Sequence, residues 1–412
     1  MLTRDPLHAA PRVWGEPGEI APDVFLQPAF VNSYALRTPV GLLMVDPGFG
    51  HASQSLQQAV RQWSDAPLHT AVYTHGHVDH AFGLRAFLAA GERPQIVAQE
   101  NCLARFQRYA LTHGWNARIN QRQFSLPHPT FPHHFDWPTL TFRDALTQRM
   151  GDLEVHYRAA KGETDDACWV WVPTRRYLFT GDLIIWQAPN CGNPQKVQRY
   201  PAEWAEALDR MAALDAEWLF PGHGLVIAGR DAVRAVLVET ARYLRVIIDQ
   251  VLERMNAGQT PDEIFHAVEP DPELATRPYL QANYDHPKFI VRNLLRLWGG
   301  WWNGNAAELL PAAQAQEIAT LAGGVANLIA RGRALLDQGQ SQLAAHCAEW
   351  ATRAAPDDRE AQRLKRDVYQ RRLAEERSLM AQGIYRAAMN DARAALDEAT
   401  ESSVRLVMGW EE

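Results

Sequence analysis

The sequence predicts an α/β domain built on a layered sheet, followed by an all-α domain. Three observations predict it. From about residue 24 to 228, short apolar runs rich in β-branched and aromatic residues alternate with helical spacings, the pattern of a sheet covered by helices. From Asp231 to Met255 the apolar residues Val233, Leu237, Leu244, Ile248, Val251 and Met255 recur at helical intervals, and Gly258 stands where such a helix would stop. Beyond Gly258 the β-branched residues thin out and Ala, Leu, Glu and Arg dominate. A length of 412 residues with 47% hydrophobic content suits two domains, each with a core of its own.

Taken in order, residues 24–48 hold short apolar stretches broken by Pro and Gly, the start of a sheet. Ala52–Trp63 has helical spacing and Leu68–Thr74 reads as a strand. Gln95–Ala98 and Trp169–Val172 are further strands, and Asn101–Thr112 and Ala202–Leu214 are helices. Leu126–Pro138, rich in Pro, His and Phe, reads as a loop, so His128, His133 and His134 are expected at the surface or in packing. Tyr177–Asp182 and Trp218–His223 are strands that end in Gly-Asp and Pro-Gly-His. Past the boundary at Gly258, Leu335–Pro356 has the small-residue spacing of one tetratricopeptide-like hairpin. The division expected is 1–228, a linking helix over 229–257, a helical domain over 258–400 and a tail over 401–412.

The net charge of −7 excludes nucleic acid as an expected partner, because phosphate binding needs a basic face. No apolar run approaches the ~18–20 residues that span a bilayer, and Met1-Leu2-Thr3-Arg4-Asp5-Pro6 leads into no signal-peptide core. Cys102, Cys168, Cys191 and Cys347 are widely spaced, without a CxxC pair. They read as buried thiols of a cytoplasmic protein, with Cys191 only a marginal ligand candidate.

The chemistry is concentrated in Thr74-His75-Gly76-His77-Val78-Asp79-His80, which follows a strand directly. A strand end throws its last side chains into a loop, where they can converge on an ion. His75 and His77 alternate and can share one ion, and Asp79 and His80 can reach a second. Imidazole and carboxylate are ligands for zinc, and less exclusively for iron or manganese.

This run is the HxHxDH signature, and the chain resembles the metallo-β-lactamase superfamily. The resemblance implies an αββα sandwich and three further ligands from later loops. Asp182, at the end of Tyr177–Asp182, resembles the bridging carboxylate, and His223 the last ligand. Asp46, in Met44-Val45-Asp46-Pro47-Gly48, resembles the acid that buttresses the metal loop. Where most relatives read Gly-His-Thr, this chain reads Lys161-Gly162-Glu163-Thr164-Asp165-Asp166. Glu163 is the first choice for the remaining ligand, with Asp165 and Asp166 as alternatives. The ligand set is then His75, His77, Asp79, His80, Glu163, Asp182 and His223.

A Glu at that place is similar to the alkyl sulfatase branch, where it stands 19 residues before the bridging carboxylate, as Glu163 does before Asp182. That branch usually bridges with Glu, so Asp182 is a departure. Ala275–Gln281, Phe289–Asn293, Gly299–Asn305 and Leu321–Gly324 resemble the alkyl sulfatase dimerisation domain, which implies a homodimer. Two ions about 3.5–4 Å apart would share a water, lower its pKa, and let hydroxide attack near neutral pH, with Asp79 and Asp182 as the catalytic carboxylates. Asn193 and Arg199, with the spacing of a sulfate-holding pair in that branch, and Tyr200, a candidate proton donor, form the expected substrate site for a small molecule. Trp186, Trp301 and Trp302 read equally as an apolar wall or as packing, and Trp298 as packing. Two other functions compete: hydrolysis of a lactone, carboxylic ester, amide or phosphodiester on the same fold, and a non-hydrolytic di-iron redox role.

Overall fold

The computed structural model describes residues 15–300, 302 and 310–401. By contact the chain divides into two compact units. The first holds the described residues up to His113 and from Pro132 to 300, and the second holds Gly114–Phe131 with the described residues from 302 onward.

The first unit is built on two sheets. Seven strands lie in chain order in one: β1 (Gly18–Ala21), β2 (Val24–Gln27), β3 (Ser33–Thr38), β4 (Gly41–Val45), β5 (Leu68–Val72), β6 (Gln95–Gln99) and β7 (Leu140–Phe142). The first four are antiparallel neighbours; β4 to β7 are parallel. Parallel neighbours need crossovers, and these hold α1 (Ser53–Trp63), α2 (Val78–Ala81), α3 (Arg85–Ala89), α4 (Asn101–Leu111) and α5 (His113–Phe124). The second sheet holds β8 (Ala145–Met150), β9 (Leu153–Ala159), β10 (Cys168–Val172), β11 (Tyr177–Gly181), β12 (Trp218–Pro221) and β13 (Ile227–Ala228), again in chain order across the sheet. Only β11 and β12 are parallel, with α6 (Pro201–Ala212) between them.

Alternation along the strands builds the layers. Val170, Phe179 and Phe220 face Leu36, Val45, Val72 and Val97 of the first sheet and make the inter-sheet core. Their neighbours Trp169, Trp171, Leu178 and Leu219 point the other way, onto α6 and α7 (Arg230–Asn256). On the first sheet's far side, α1 sets Trp63 against Phe25, ring centroids 5.4 Å apart. This is the expected αββα sandwich. In α7, Val233, Leu237, Leu244, Ile248 and Val251 are all buried, as their spacing predicts. Two more helices, α8 (Pro261–Ala267) and α9 (Pro287–Gly299), add Ile264, Ile290, Val291 and Leu294 to the same core. Packing thus carries the first unit past Gly258, where the composition changes.

The second unit is helical: α10 (Pro311–Leu321), α11 (Val325–Asp337), α12 (Ser341–Ala354), α13 (Arg359–Glu375) and α14 (Leu379–Ala395). Leu335, Ala344, Ala348, Leu364 and Val368 make its core, small residues letting helices close on large ones. All but the first residue of α5 also belong here, and Gln123 Nε2 donates to Met380 O at 3.3 Å. The expected tail lies, after Glu401, outside the described residues. Among the described residues no helix is long and apolar enough to cross a membrane.

Candidate metal centre

The site lies where strand ends of the two sheets meet. Asp46, just past β4, adopts φ +53°, an uncommon value for a side chain larger than Gly. Its carboxylate accepts from Thr74 N at 2.8 Å and Thr74 Oγ1 at 2.7 Å, and faces His80 Nδ1 at 2.9 Å. One acid therefore pins the strand end that launches the His motif and orients one of its rings. From the other sheet, Gly222 N donates to Gly181 O at 2.9 Å, bringing Asp182 and His223 side by side. Both glycines are required: a Cβ on Gly181 would lie 2.4 Å from Thr74 Oγ1, and one on Gly222 would lie 2.2 Å from Asp182 Oδ1. Asn32 clamps the Pro-Gly-His turn, its Nδ2 donating to Pro221 O at 3.1 Å and Gly224 O at 2.9 Å. His223 Nδ1 meets Phe30 O, which leaves Nε2 turned to the site.

The structure brings the seven expected residues together in two groups. His75, His77, Glu163 and Asp182 form one, and Asp79, His80 and His223 the other; within each, one ligand atom per residue lies within 4.8 Å of the rest. Asp182 lies between them. Its Oδ2 is 3.8 Å from His75 Nε2, and its Oδ1 is 3.2 Å from His80 Nε2 and 3.3 Å from His223 Nε2. Asp79 Oδ2 is 3.6 Å from both His80 Nε2 and His223 Nε2.

The donor set fits divalent cations. His80 Nε2, Glu163 Oε2 and Asp182 Oδ1 are buried yet make no hydrogen bond. Buried polar atoms without partners are costly unless something else meets them. Burial, then the neighbouring His80, pushes His75 well below its ordinary range; burial, then His75, does the same for His77. Both shifts favour the neutral ring, the form that ligates a metal. Burial and the Asp182 charge push Glu163 well up, against the pull of Arg199. For Asp182 burial acts upward but is outweighed by His80 and His223, which hold it well down. Burial likewise opposes protonation of His80 and His223, and the carboxylates around them, Asp182 foremost, outweigh it. A cluster that gathers protons in this way gives them up to a bound cation.

The three acids of the Glu163 segment separate clearly. Glu163 joins the cluster, 3.6 Å from His77 Nδ1, and Asn190 Nδ2 donates to its Oε1. Asp166 is fully buried elsewhere: it accepts from Gly76 N at 2.9 Å and from Arg105 Nε at 2.7 Å. Asp165 pairs with Arg105 at the surface. Arg199 is buried and lies 2.8 Å from Glu163 Oε1, with its Nε left without a partner. Asn193 is buried in the same loop and accepts from Gln195 N at 3.0 Å. The Tyr200 ring lies under Lys161, 5.3 Å from its ammonium. Trp186 is fully buried and packs on Tyr279, so it is core rather than an open wall. Trp298 and Trp302 are exposed, and Trp301 lies outside the described residues. All four cysteines are buried free thiols, and Cys191 joins neither ligand group.

Sequence reasoning missed Asn32, Arg105 and Asn190. Arg105 carried a signal: it sits among Cys102, Phe106 and Tyr109 on the buried face of α4, where a charge needs a partner.

Comparison with known proteins bears on the family and the fold. The metallo-beta-lactamase superfamily model matches residues 26–223, and the alkyl sulfatase dimerisation model matches residues 260–395. A linear primary-alkylsulfatase from a Pseudomonas species is 30% identical over 368 residues, covering 82% of this chain and 69% of the relative. An alkyl/aryl-sulfatase of Saccharomyces cerevisiae is 22% identical, with 82% of this chain and 57% of the relative covered. The fold is that of the stereoselective inverting sec-alkylsulfatase Pisa1 from Pseudomonas sp., with TM-score 0.84, 19% identity, and coverage of 94% of this chain and 67% of that one. The match to both models together with the 30% identity to an alkylsulfatase over 82% of this chain places it: the chain belongs to the alkyl sulfatase family of hydrolytic enzymes within the metallo-β-lactamase superfamily.

Proposed function

We propose that this chain is a dinuclear metal-dependent hydrolase of alkyl sulfates, active as a homodimer joined through the helical half, residues 258–400. The carrying observation is Arg199. A buried guanidinium stands on the rim of the ligand cluster, tied to Glu163 on one side and with Nε unpartnered on the other. Such a donor favours an anionic ester over a neutral lactone. The named relatives, all sulfatases, favour sulfate over phosphate as that anion.

His75, His77, Glu163 and Asp182 would hold one ion and Asp79, His80 and His223 the other, with Asp182 shared between them. Zinc is the proposed metal. Such ions supply Lewis acidity and bring a water's pKa to near neutral. Asn190 holds Glu163 in place, Asp46 holds His80, and the Phe30 carbonyl holds His223. Asp79, the half-buried carboxylate of the cluster, is the acceptor for the attacking water's proton. Arg199, with Asn193 of the same buried loop, would receive the sulfate group.

The test is a hydrolysis screen of the zinc-loaded protein with dodecyl sulfate, lactones and phosphodiesters in parallel. Turnover of dodecyl sulfate above the others is expected. Preference for a lactone or phosphodiester would overturn the substrate class.

A further inference from the structure

Between β11 and α6 the chain runs through residues 189–200 without helix or strand, yet Cys191, Gly192, Asn193 and Arg199 are buried. A buried irregular segment must pair its backbone polar groups, and this one does so only partly within itself, through Cys191 N to Pro189 O at 3.0 Å and Lys196 N to Asn193 O at 2.9 Å. It finds other partners on α9 and the turn before it. Asn293 Nδ2 donates to Cys191 O at 2.7 Å, and Asn293 Oδ1 accepts from Arg199 N at 2.9 Å. The Asn293 backbone carbonyl accepts from Gln198 Nε2 at 3.0 Å. Arg296 Nε donates to Gln198 Oε1 at 2.8 Å, and its Nη1 donates to Lys196 O at 3.2 Å. Asp285 Oδ2 accepts from Gly192 N at 3.0 Å.

One amide therefore grips the loop at both ends. At one end is Cys191, next to the Asn190 that holds Glu163; at the other is Arg199 itself. The task needs a donor and an acceptor on one rigid group, which a carboxamide supplies and a carboxylate or an alkyl group does not. At 5% exposure, Asn293 makes both bonds largely away from solvent, where leaving a partner unpaired is costly.

We propose that Asn293, supported by Asp285 and Arg296, is a positioning residue for anion recognition, setting the Arg199 guanidinium against the substrate's sulfate. The segment that carries it lies in the half matched by the dimerisation model, so that half also completes the anion pocket of its own chain. This rests on the proposed sulfate-ester reading. It differs from a merely structural role in what should move: anion affinity falls while metal binding stays.

The experiment uses the zinc-loaded full chain as wild type, Asn293→Asp, Asn293→Ala, Arg199→Gln and the double variant Asn293→Asp/Arg199→Gln. Inorganic sulfate binding is measured by calorimetry, KM and kcat with dodecyl sulfate, and zinc per chain by mass spectrometry. Asn293→Asp keeps size and the acceptor for Arg199 N but loses the donor to Cys191, so it decides the matter even where Asn293→Ala folds poorly. Expected are full zinc, sulfate binding weakened about tenfold, a raised KM, and a double variant no weaker than Arg199→Gln alone. Wild-type sulfate affinity in Asn293→Asp, additive losses in the double variant, or zinc lost in step with sulfate would each overturn the assignment. Failure of the sulfate reading shows separately, in a wild type that neither binds sulfate nor cleaves dodecyl sulfate.

Discussion

Asp182 turns one carboxylate oxygen toward His75 and the other toward His80 and His223, so one substitution there touches both ligand groups. Asp182→Ala is expected to strip metal from both, whereas His223→Ala empties only the group it shares with Asp79 and His80. Mass spectrometry of the purified variants counts the ions, and equal losses would contradict the shared position. Gly222→Ala should act like Asp182→Ala, since its Cβ would stand 2.2 Å from Asp182 Oδ1. The sequence left Glu163, Asp165 and Asp166 open as ligands because all three are acids on one short loop. Only the fold shows that Asp166 is occupied by Gly76 N and Arg105. Removing it would leave a buried guanidinium with only the part-exposed Asp165, so Asp166→Ala should cost about 3 kcal/mol in urea unfolding. Asp165→Ala, at a side chain 43% exposed, should cost under about 1 kcal/mol. Similar midpoints for the two would contradict this reading of Arg105.

Elements were legible where burial is periodic. Trp169 and Trp171 pack outward while Val170 and Val172 pack inward, and α7 buries the residues its spacing names. Elements with weak periodicity escaped, and so did β9, although its burial alternates. Strand β8 ends its sheet and buries only Met150, and α5 buries Ala117, Ile119 and Gln123 at uneven intervals. The change of composition at Gly258 is real but is not where packing stops. A chain truncated there would lose α8 and α9, take Ile264, Ile290, Val291 and Leu294 out of the core they share with α7, and free the loop that carries Arg199. Exposed apolar surface of that kind should make it aggregate. A soluble truncated chain that still binds sulfate would contradict the role given to α9.

At the scale of the whole molecule, four positions of one short run converge with three distant ones, and the HxHxDH run with its strand-end partners made that convergence readable in advance. The substrate was less readable, because the residues that would hold it sit in a loop with no periodicity and take their places from α9. The proposed dimer predicts twice the mass of one chain by light scattering at micromolar concentration, through an interface of roughly 2,000 Å² or more. A mass of one chain would contradict it. The central claim, that the seven-residue cluster makes this chain a metal-dependent sulfatase, is tested most directly by inorganic sulfate release from dodecyl sulfate before chelation, after chelation and after zinc is returned. The account predicts release that chelation abolishes and zinc restores. Release unchanged by chelation, or none from protein carrying its full complement of zinc, would contradict it.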